Sequence, residues 1–232
     1  ALSTVTGSSL TDGAVYAIMT EADLAKLAEL VNGGEDCTGN IFIQTSNITL
    51  SEDHNGSSAG LWVPIGSASF SPSPGTDTSG HAFNGSYYGK QHFINGLDCQ
   101  VTSCSGLFGY VGPNGIVADL STNGTLTGAN CAGGIAAVNQ GKIVNCSNAI
   151  EYTNYSSTGY DYIGGVVGVN QGSVQNCQNY GPVMGHKTTV GGDAHIGGVV
   201  GYCKDNAEVL NCYNAAAVIG WSNIGGVVGS TN

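Results

Sequence analysis

The chain has 232 residues, of which 41% are hydrophobic and 9% charged, and its formal net charge is −11. The high apolar and low charged fractions exclude a disordered chain, which is rich in charge and poor in Val and Ile. Five lysines and no arginine leave no basic surface for nucleic acid or for an anionic membrane. The 38 glycines are typical of an all-β protein with many turns.

The N-terminal residues carry no targeting signal. ALSTVTGSS lacks the basic start and the apolar run of a signal peptide, and no stretch approaches the 18 apolar residues that would indicate a membrane span. We therefore interpret the sequence as a mature or trimmed chain, in which residues 1–14 form a tail or a first strand.

One helix is predicted in TEADLAKLAELVNGG, residues 20–34. Thr20 and Asp23 resemble a capping box with Asp in place of Glu, and Gly33 provides a stop signal. The apolar residues that recur at helical spacing are Leu24, Leu27, Ala28 and Val31. We expect this helix to cover the open end of a repeat array; the alternative is a helix packed beside the domain.

Residues 15–104 are expected to hold this helix and irregular first coils. Short apolar runs at 41–50, 61–66 and 83–101 favour strands. Between them, residues 67–81 are rich in Ser, Pro and Gly, which predicts a surface loop.

Repeats dominate residues 105–232. A glycine before two apolar residues recurs at steps of 28, 31, 33 and 28 residues, at Gly106, Gly134, Gly165, Gly198 and Gly226. A second run follows in most copies, ending in Asn-Cys three times, and a third run such as GPVMG (181–185) follows that. Three short Val/Ile-rich runs in about 30 residues predict one coil of a parallel β-solenoid. The last copy, at 223–229, is expected to begin a truncated coil.

The repeats also assign three cysteines to one position. Cys146, Cys177 and Cys212 end the second run of successive coils, so we expect an inward-facing ladder of reduced thiols, with Leu120 in the same position one coil earlier. Cys99 and Cys104 lie close enough in sequence for a disulfide bridge, and both the bridged and the free state remain open. No cysteine spacing is typical of a metal site. The remaining cysteines are Cys37, Cys131 and Cys203.

The order of motifs resembles bacterial cell-surface proteins that carry the GLUG repeat, including non-catalytic parts of IgA-peptidase-like proteins and adhesin-like proteins. The motifs are DLAKLAELVNGG, NITL, WVPIG, FNGSYYG, INGL, GLFGYV and the GVVG units, over roughly residues 15–232. GLFG at 106–109 is the nearest match, while GIAA at 134–137 departs at its last position. The resemblance implies a right-handed parallel β-helix, display at the cell surface and an adhesive or spacer role.

Catalytic motifs are missing from the sequence. HExxH and GxSxG do not occur. A polysaccharide hydrolase would need two carboxylates at a defined separation. Acidic residues near the corners are Asp161, Asp193, Asp205 and Glu208. We interpret them as solvated loop charges and expect no enzymatic activity, no cofactor and no metal.

A binding surface is the alternative use of the corners. The segment EYTNYSSTGYDY (151–162) contains Tyr152, Tyr155, Tyr160 and Tyr162. Exposed tyrosines present a flat apolar face with a polar edge, which suits an interface; ordinary loop packing is the competing interpretation. Further candidates are Tyr87, Tyr88, Tyr180 and Trp221. We therefore expect a secreted or cell-surface segment used in adhesion or as a rigid stalk, with a host protein or glycan as partner, or else a carbohydrate-binding or carbohydrate-active β-helix module.

Overall fold

The strands of this protein are short and stack in parallel from one coil to the next. The computed structural model describes residues 1–51, 61–69, 79–99, 104–127, 130–154, 161–185 and 194–232. Within them the chain forms a short 3-10 helix, one α-helix and a series of strands in stacked parallel sheets. The predicted all-β parallel solenoid with an N-terminal helix is confirmed.

The elements have the following bounds. The 3-10 helix spans Leu2–Thr4 and the α-helix α1 spans Glu21–Asn32. The first strands are β1 (Val15–Ile18), β2 (Ile41–Gln44), β3 (Ile48–Thr49), β4 (Ser67–Ala68), β5 (Gly80–His81), β6 (Ser86–Tyr88), β7 (Phe93–Cys99), β8 (Cys104–Ser105), β9 (Phe108–Val111), β10 (Ile116–Ala118) and β11 (Ser121–Thr127). The others are β12 (Cys131–Gly133), β13 (Ala136–Asn139), β14 (Lys142–Val144), β15 (Ser147–Asn154), β16 (Asp161–Gly164), β17 (Val167–Asn170), β18 (Ser173–Gln175), β19 (Gln178–Asn179), β20 (Val183–Gly185), β21 (Ala194–Gly197), β22 (Val200–Cys203), β23 (Glu208–Leu210), β24 (Tyr213–Asn214), β25 (Val218–Ile219), β26 (Ile224–Gly225) and β27 (Val228–Thr231).

Four parallel sheets form the sides of the solenoid. Sheet I has the strand order β1-β2-β6-β10-β14-β18-β23, and sheet II has β3-β7-β11-β15-β19-β24, with β20 beside β15 and β25 beside β20. Sheet III has the order β8-β12-β16-β21-β26, and sheet IV has β9-β13-β17-β22-β27. The strands β4 and β5 form a separate antiparallel pair at the two ends of the predicted loop 67–81; residues 70–78 of that loop lie outside the described residues.

Each complete coil visits sheets III, IV, I and II in turn, so the predicted three strands per coil are four. The additional strand arises at the GGVVG motif, which we predicted to be part of a single strand. In the third copy Gly164 ends β16, and Val167 begins β17. Gly165 lies at the corner between them, where a Cβ would approach the Asn179 side chain at 2.3 Å. At Gly106, Gly134, Gly165 and Gly198 the repeated glycine therefore marks a corner at which no side chain fits, whereas a Cβ at Gly226 would meet nothing within 4 Å.

The interior changes character along the solenoid. The early coils are filled by aromatic rings, with Phe83 5.7 Å from Phe42 and 5.1 Å from Phe108 between ring centroids. The later coils contain Val and Ile in equivalent rows, such as Val117, Ile143 and Val174 in sheet I. This regular packing of β-branched residues on a pleated surface explains why the C-terminal coils have the clearest sequence repeats.

Helix α1 covers the N-terminal end of the stack. It follows β1, the terminal strand of sheet I, and Leu24, Leu27 and Val31 are buried in the same core cluster as the coil interior. Thr20 and Asp23 form the predicted capping box. Within the described residues, no helix has the length and apolar character needed to cross a membrane. At the other end, interior positions of the last coil such as Val209 and Val218 are only partly buried.

Candidate functional surfaces

Cys146, Cys177 and Cys212 occupy one row of the stack. The pairing of the next residues, Ser147 with Gln178 and Gln178 with Tyr213, fixes this register. Each Sγ contacts the carbonyl oxygen two residues earlier, at 3.4, 3.3 and 3.3 Å respectively. Cys146 and Cys177 are buried, whereas Cys212 is partly exposed. Contact with the Cys146 thiol raises the pKa of Cys177 well above its usual value, and contact with the Cys177 thiol does the same for Cys212.

The asparagine before each of these cysteines has a left-handed backbone. Asn145, Asn176 and Asn211 have φ of 55°, 54° and 53°, and Asp119 has φ of 56° one coil earlier. Asn and Asp tolerate this conformation better than most residues. The repeated Asn-Cys pair therefore forms a corner between sheets I and II. Its asparagine adopts the left-handed turn conformation, and its cysteine directs a side chain into the interior.

Two further rows of asparagine are buried inside the solenoid. In sheet IV, Asn139 Nδ2 donates to Asn170 Oδ1 at 2.9 Å. In sheet II, Asn148 Nδ2 donates to Asn179 Oδ1 at 2.7 Å, and Asn179 Nδ2 donates to Asn214 Oδ1 at 2.8 Å. These ladders are polar bonds directed along the solenoid axis, from coil to coil. The sequence analysis missed them, although two short motifs mark them: Cys-x-Asn recurs at 146–148, 177–179 and 212–214, and VNQG recurs at 138–141 and 169–172.

The predicted tyrosine platform is wrong for the two members that the structure describes. Tyr152 is 2% exposed and Tyr162 is 1% exposed. Tyr152 packs in the main core, in register with Leu126 and Val183. Tyr155 and Tyr160 lie outside the described residues. Tyr152 and Tyr162 therefore do not contribute to an exposed platform.

Tyr162 instead belongs to a second cluster of buried side chains, separate from the main core. We call it the outer cluster; its members include Cys104, Tyr110, Cys131, Val138, Tyr162, Val169 and Tyr202. The ring of His195 stacks on Tyr162 with centroids 4.6 Å apart, and Tyr202 meets Tyr162 edge-on at 5.7 Å. Aromatic side chains from sheets III and IV thus pack against one another in this cluster.

All eight cysteines are free thiols, including Cys99 and Cys104, for which a disulfide was one of two open interpretations. The two side chains lie in different places: Cys99 is part of the main core, whereas Cys104 is part of the outer cluster. Burial raises the pKa of Cys99 to about 11. The direct neighbour of Cys104 is Cys131, its partner in the pairing of β8 with β12.

An exposed tyrosine pair lies at a different corner from the one predicted. Tyr180 and Tyr213 are 49% and 43% exposed, and their rings meet edge-on with centroids 5.7 Å apart. Their hydroxyl groups are hydrogen-bonded to each other, and Tyr180 OH also donates to Gln178 Oε1 at 2.9 Å. Of the further candidates, Trp221 is exposed as expected, at 75%, whereas Tyr87 is fully buried, so its assignment to an exposed platform is wrong. Tyr213 was missed because it follows Asn-Cys in only one copy of the repeat.

The outer face of sheet I is apolar in its first coils. Val15 is 60% exposed, and most of the outward positions on the next strands are partly buried. The apolar outward residues are Val15, Ile41, Ile43, Tyr88, Ile116 and Val144. Further along the solenoid, the row that contains Ile41 and Ile116 continues with Lys142, Ser173 and Glu208. A flat apolar face of this kind on one side of a solenoid is typical of an interaction surface.

The acidic residues considered at the corners lie on different elements in the described part of the chain. Asp161 is buried at the start of β16 in sheet III, which corrects its interpretation as a solvated loop charge, whereas Asp205 and Glu208 are exposed, Glu208 on sheet I. Asp193 lies outside the described residues. The described residues contain no group of three or more His, Cys, Asp or Glu side chains that could hold a metal ion.

One open cleft of about 230 Å³ lies beside the end of α1. Its polar lining comes from Glu35, Asp36, His81 and Asn84. Three of these side chains already accept hydrogen bonds from other residues of the chain. Asp36 accepts from Thr38, Glu35 accepts from the Leu10 amide, and Asn84 accepts from the Asn114 amide. The cleft is therefore a polar junction between the helix cap and the first coils.

Searches of this chain against protein-family models, curated proteins and solved structures found no match.

Proposed function

We propose that this chain is a non-catalytic β-solenoid segment of a secreted or cell-surface bacterial protein, and that it serves as a rigid stalk or in adhesion. The observation that carries the proposal is the continuity of bonding along the axis. Sheets I and IV keep one register across successive coils, and the buried ladders Asn139–Asn170 and Asn148–Asn179–Asn214 join the coils through side chains as well. A segment bonded in this way resists bending between its coils.

The GLUG-type motifs support display at a bacterial surface, and an antibody tests this part of the proposal. An antibody raised against the 232-residue chain should label intact cells of the producing bacterium or its culture medium. Brief protease treatment of intact cells should remove the label. Labelling that requires permeabilised cells would contradict surface display.

Rigidity is tested by a distance measurement along the axis. Spin labels at exposed positions near opposite ends, for example Asp12 and Trp221, should give one narrow distance distribution. The labels can be attached through a chemistry other than thiols, because the native cysteines would compete. A broad or multi-peaked distribution would contradict the rigid-stalk role.

An adhesive role has its own specific support in the apolar face of sheet I. A spacer without a partner has no need of outward-facing Ile41, Ile43 and Ile116 in adjacent rows. Replacing Ile41 and Ile116 by Lys should abolish binding of the purified chain to host cells or extracellular-matrix proteins. The matched control is Ser173→Lys in the same rows, which should leave binding unchanged. Equal binding by both variants would exclude this face.

A carbohydrate-binding module is the second candidate, and the exposed Tyr180–Tyr213 pair favours it. Tyrosine rings pack against the C–H faces of sugars while their hydroxyl groups bond to the edges. A glycan array probed with the wild-type chain and with Tyr213→Ala tests this candidate. Binding that disappears in the variant supports it, and binding that both proteins retain contradicts the assignment to this pair.

A further inference from the structure

Cys104 and Cys131 face each other across the first two strands of sheet III. The strand β8 consists of Cys104 and Ser105 and is the terminal strand of that sheet, so within the described residues it pairs on one side only, with β12. The register sets Cys104 opposite Cys131. Adjacent parallel strands are about 4.8 Å apart, which lies within the range of about 4.4–6.8 Å that disulfides span between Cα atoms.

The two side chains also point to the same place. Both belong to the outer cluster, where Cys131 is fully buried and Cys104 is 6% exposed. Burial, and then contact with the Cys104 thiol, raise the pKa of the Cys131 thiol. The next residues along this row are Tyr162 and His195, so the row contains no third cysteine to compete for either thiol.

We propose that Cys104 and Cys131 are an oxidisable pair that forms a disulfide bridge between the first two strands of sheet III. The oxidant is a low-molecular-weight disulfide of the glutathione class. The Cys104 sulfur attacks one of its sulfurs and releases one glutathione. Cys131 then attacks the Sγ atom of Cys104 in this mixed disulfide, which forms the Cys104–Cys131 bond, breaks the bond from Cys104 to glutathione and releases the second glutathione. The two protons lost by the protein thiols end on the two glutathione thiols, so one disulfide replaces another.

The bridge has a structural role at this position. A two-residue terminal strand contributes few backbone hydrogen bonds, so it is among the first parts of a sheet to open. A covalent link from Cys104 to Cys131 would hold β8 against β12 and close a loop of chain between them, which constrains the unfolded state. In a reducing environment the same strand stays attached only by its few backbone hydrogen bonds to β12 and by packing. The proposal concerns the chain itself and does not depend on its location.

Oxidative refolding tests the proposal. The 232-residue chain is unfolded in reductant, refolded in a buffer of reduced and oxidised glutathione, alkylated, digested without reduction and analysed by mass spectrometry. We expect the Cys104–Cys131 peptide pair as the dominant linked species, and a higher denaturation midpoint for the oxidised than for the reduced protein. Cys131→Ser should lose both effects, while the control Cys99→Ser should keep them.

Several outcomes would overturn the proposal. These are a bridge between Cys104 and Cys99, glutathione adducts without a bridge, and a folded oxidised protein in which Cys104 and Cys131 stay free while Cys177 and Cys212 are linked. The peptide map of the wild-type chain decides among them even if Cys131→Ser fails to fold.

Discussion

Asn179 is buried between Asn148 and Asn214 and bonds to both, accepting from Asn148 Nδ2 at 2.7 Å and donating to Asn214 Oδ1 at 2.8 Å. Its two side-chain atoms also bond to the backbone of Gly181, at 2.7 Å to the carbonyl oxygen and 3.2 Å from the amide. One amide side chain therefore satisfies polar groups on three successive coils. In a buried site, a network of this kind is stabilising only while every member is paired.

Asn179→Ala should destabilise the solenoid by about 1–3 kcal/mol, because it leaves buried donors and acceptors on the neighbouring coils without partners. The free energy of unfolding from urea denaturation measures the effect. Asn214→Ala, at the partly exposed end of the same ladder, should cost less because water reaches its partners. Asn114→Ala is a surface control, since Asn114 is exposed. Equal losses for Asn179 and Asn114 would show that the ladder has no energetic role.

The left-handed corners give a second prediction, at Asn176. Its φ is 54°, which costs an ordinary L-residue about 1–2 kcal/mol. Asn176→Ala should therefore lower the unfolding free energy by about that amount, while Asn176→Gly should be close to neutral, because glycine adopts this conformation without steric cost. The two variants remove the same side-chain amide, so their difference isolates the backbone. If both variants lose equal stability, the contacts of the side-chain amide, and not the backbone conformation, explain why asparagine occupies this position.

The cysteine row gives a third prediction. Cys146 and Cys177 should resist thiol labelling in the folded chain, whereas Cys212 should react first because it is only partly buried. Raising the pH should increase labelling of Cys177 only slowly, since its raised pKa keeps the thiolate scarce. Cys177→Ser should destabilise by about 1–3 kcal/mol, because a hydroxyl replaces a thiol in an apolar row. Quantification of each labelled peptide by mass spectrometry measures the order, and early labelling of Cys177 would contradict it.

The corners of this fold were more predictable than its surfaces. Gly165 and Asn176 are identifiable from sequence because each has a role that recurs from coil to coil. The glycine lies where another part of the chain approaches closely, and the asparagine has a left-handed backbone conformation. Tyr152 and Tyr162 were assigned wrongly to the surface. Both lie in register with the neighbouring coils, Tyr152 beside Leu126 and Val183 and Tyr162 beside Cys131 and His195. Their burial was missed because a shift of one residue along a strand exchanges interior and exterior. The outer cluster was not predictable either, because it joins side chains of sheets III and IV, and the sequence period does not reveal which residues of two different runs come together.

Asp23 gives a prediction for pH dependence. Burial raises the pKa of its carboxyl, but hydrogen bonds from the backbone of Ser3 and Met19, together with Ser3 and Thr20 side chains, outweigh burial and leave the pKa below the usual 3.8. The carboxylate accepts at 2.7 Å from the Ser3 amide and at 3.0 Å from the Met19 amide, which fixes the N-terminal segment to the start of α1. Hydrogen bonds to a charged acceptor are worth about 1.5–3 kcal/mol in folded proteins.

The sign of the dependence follows from the lowered pKa. A carboxyl whose pKa is lower in the folded than in the unfolded chain contributes its full stability above the unfolded value, and this stability is lost as the pH falls through the folded value. Asp23→Asn should therefore destabilise the chain by about 1–3 kcal/mol at neutral pH, and its difference from wild type should shrink as the solution is acidified below pH 3.8. Urea denaturation at several pH values measures both stabilities. Glu29→Gln is the control on the same helix: its bond to Lys26 lies at the surface, where Glu29 is 68% exposed, and such pairs contribute little. A constant difference between wild type and Asp23→Asn from neutral to acidic pH would show that packing, and not the charge of Asp23, anchors the helix cap.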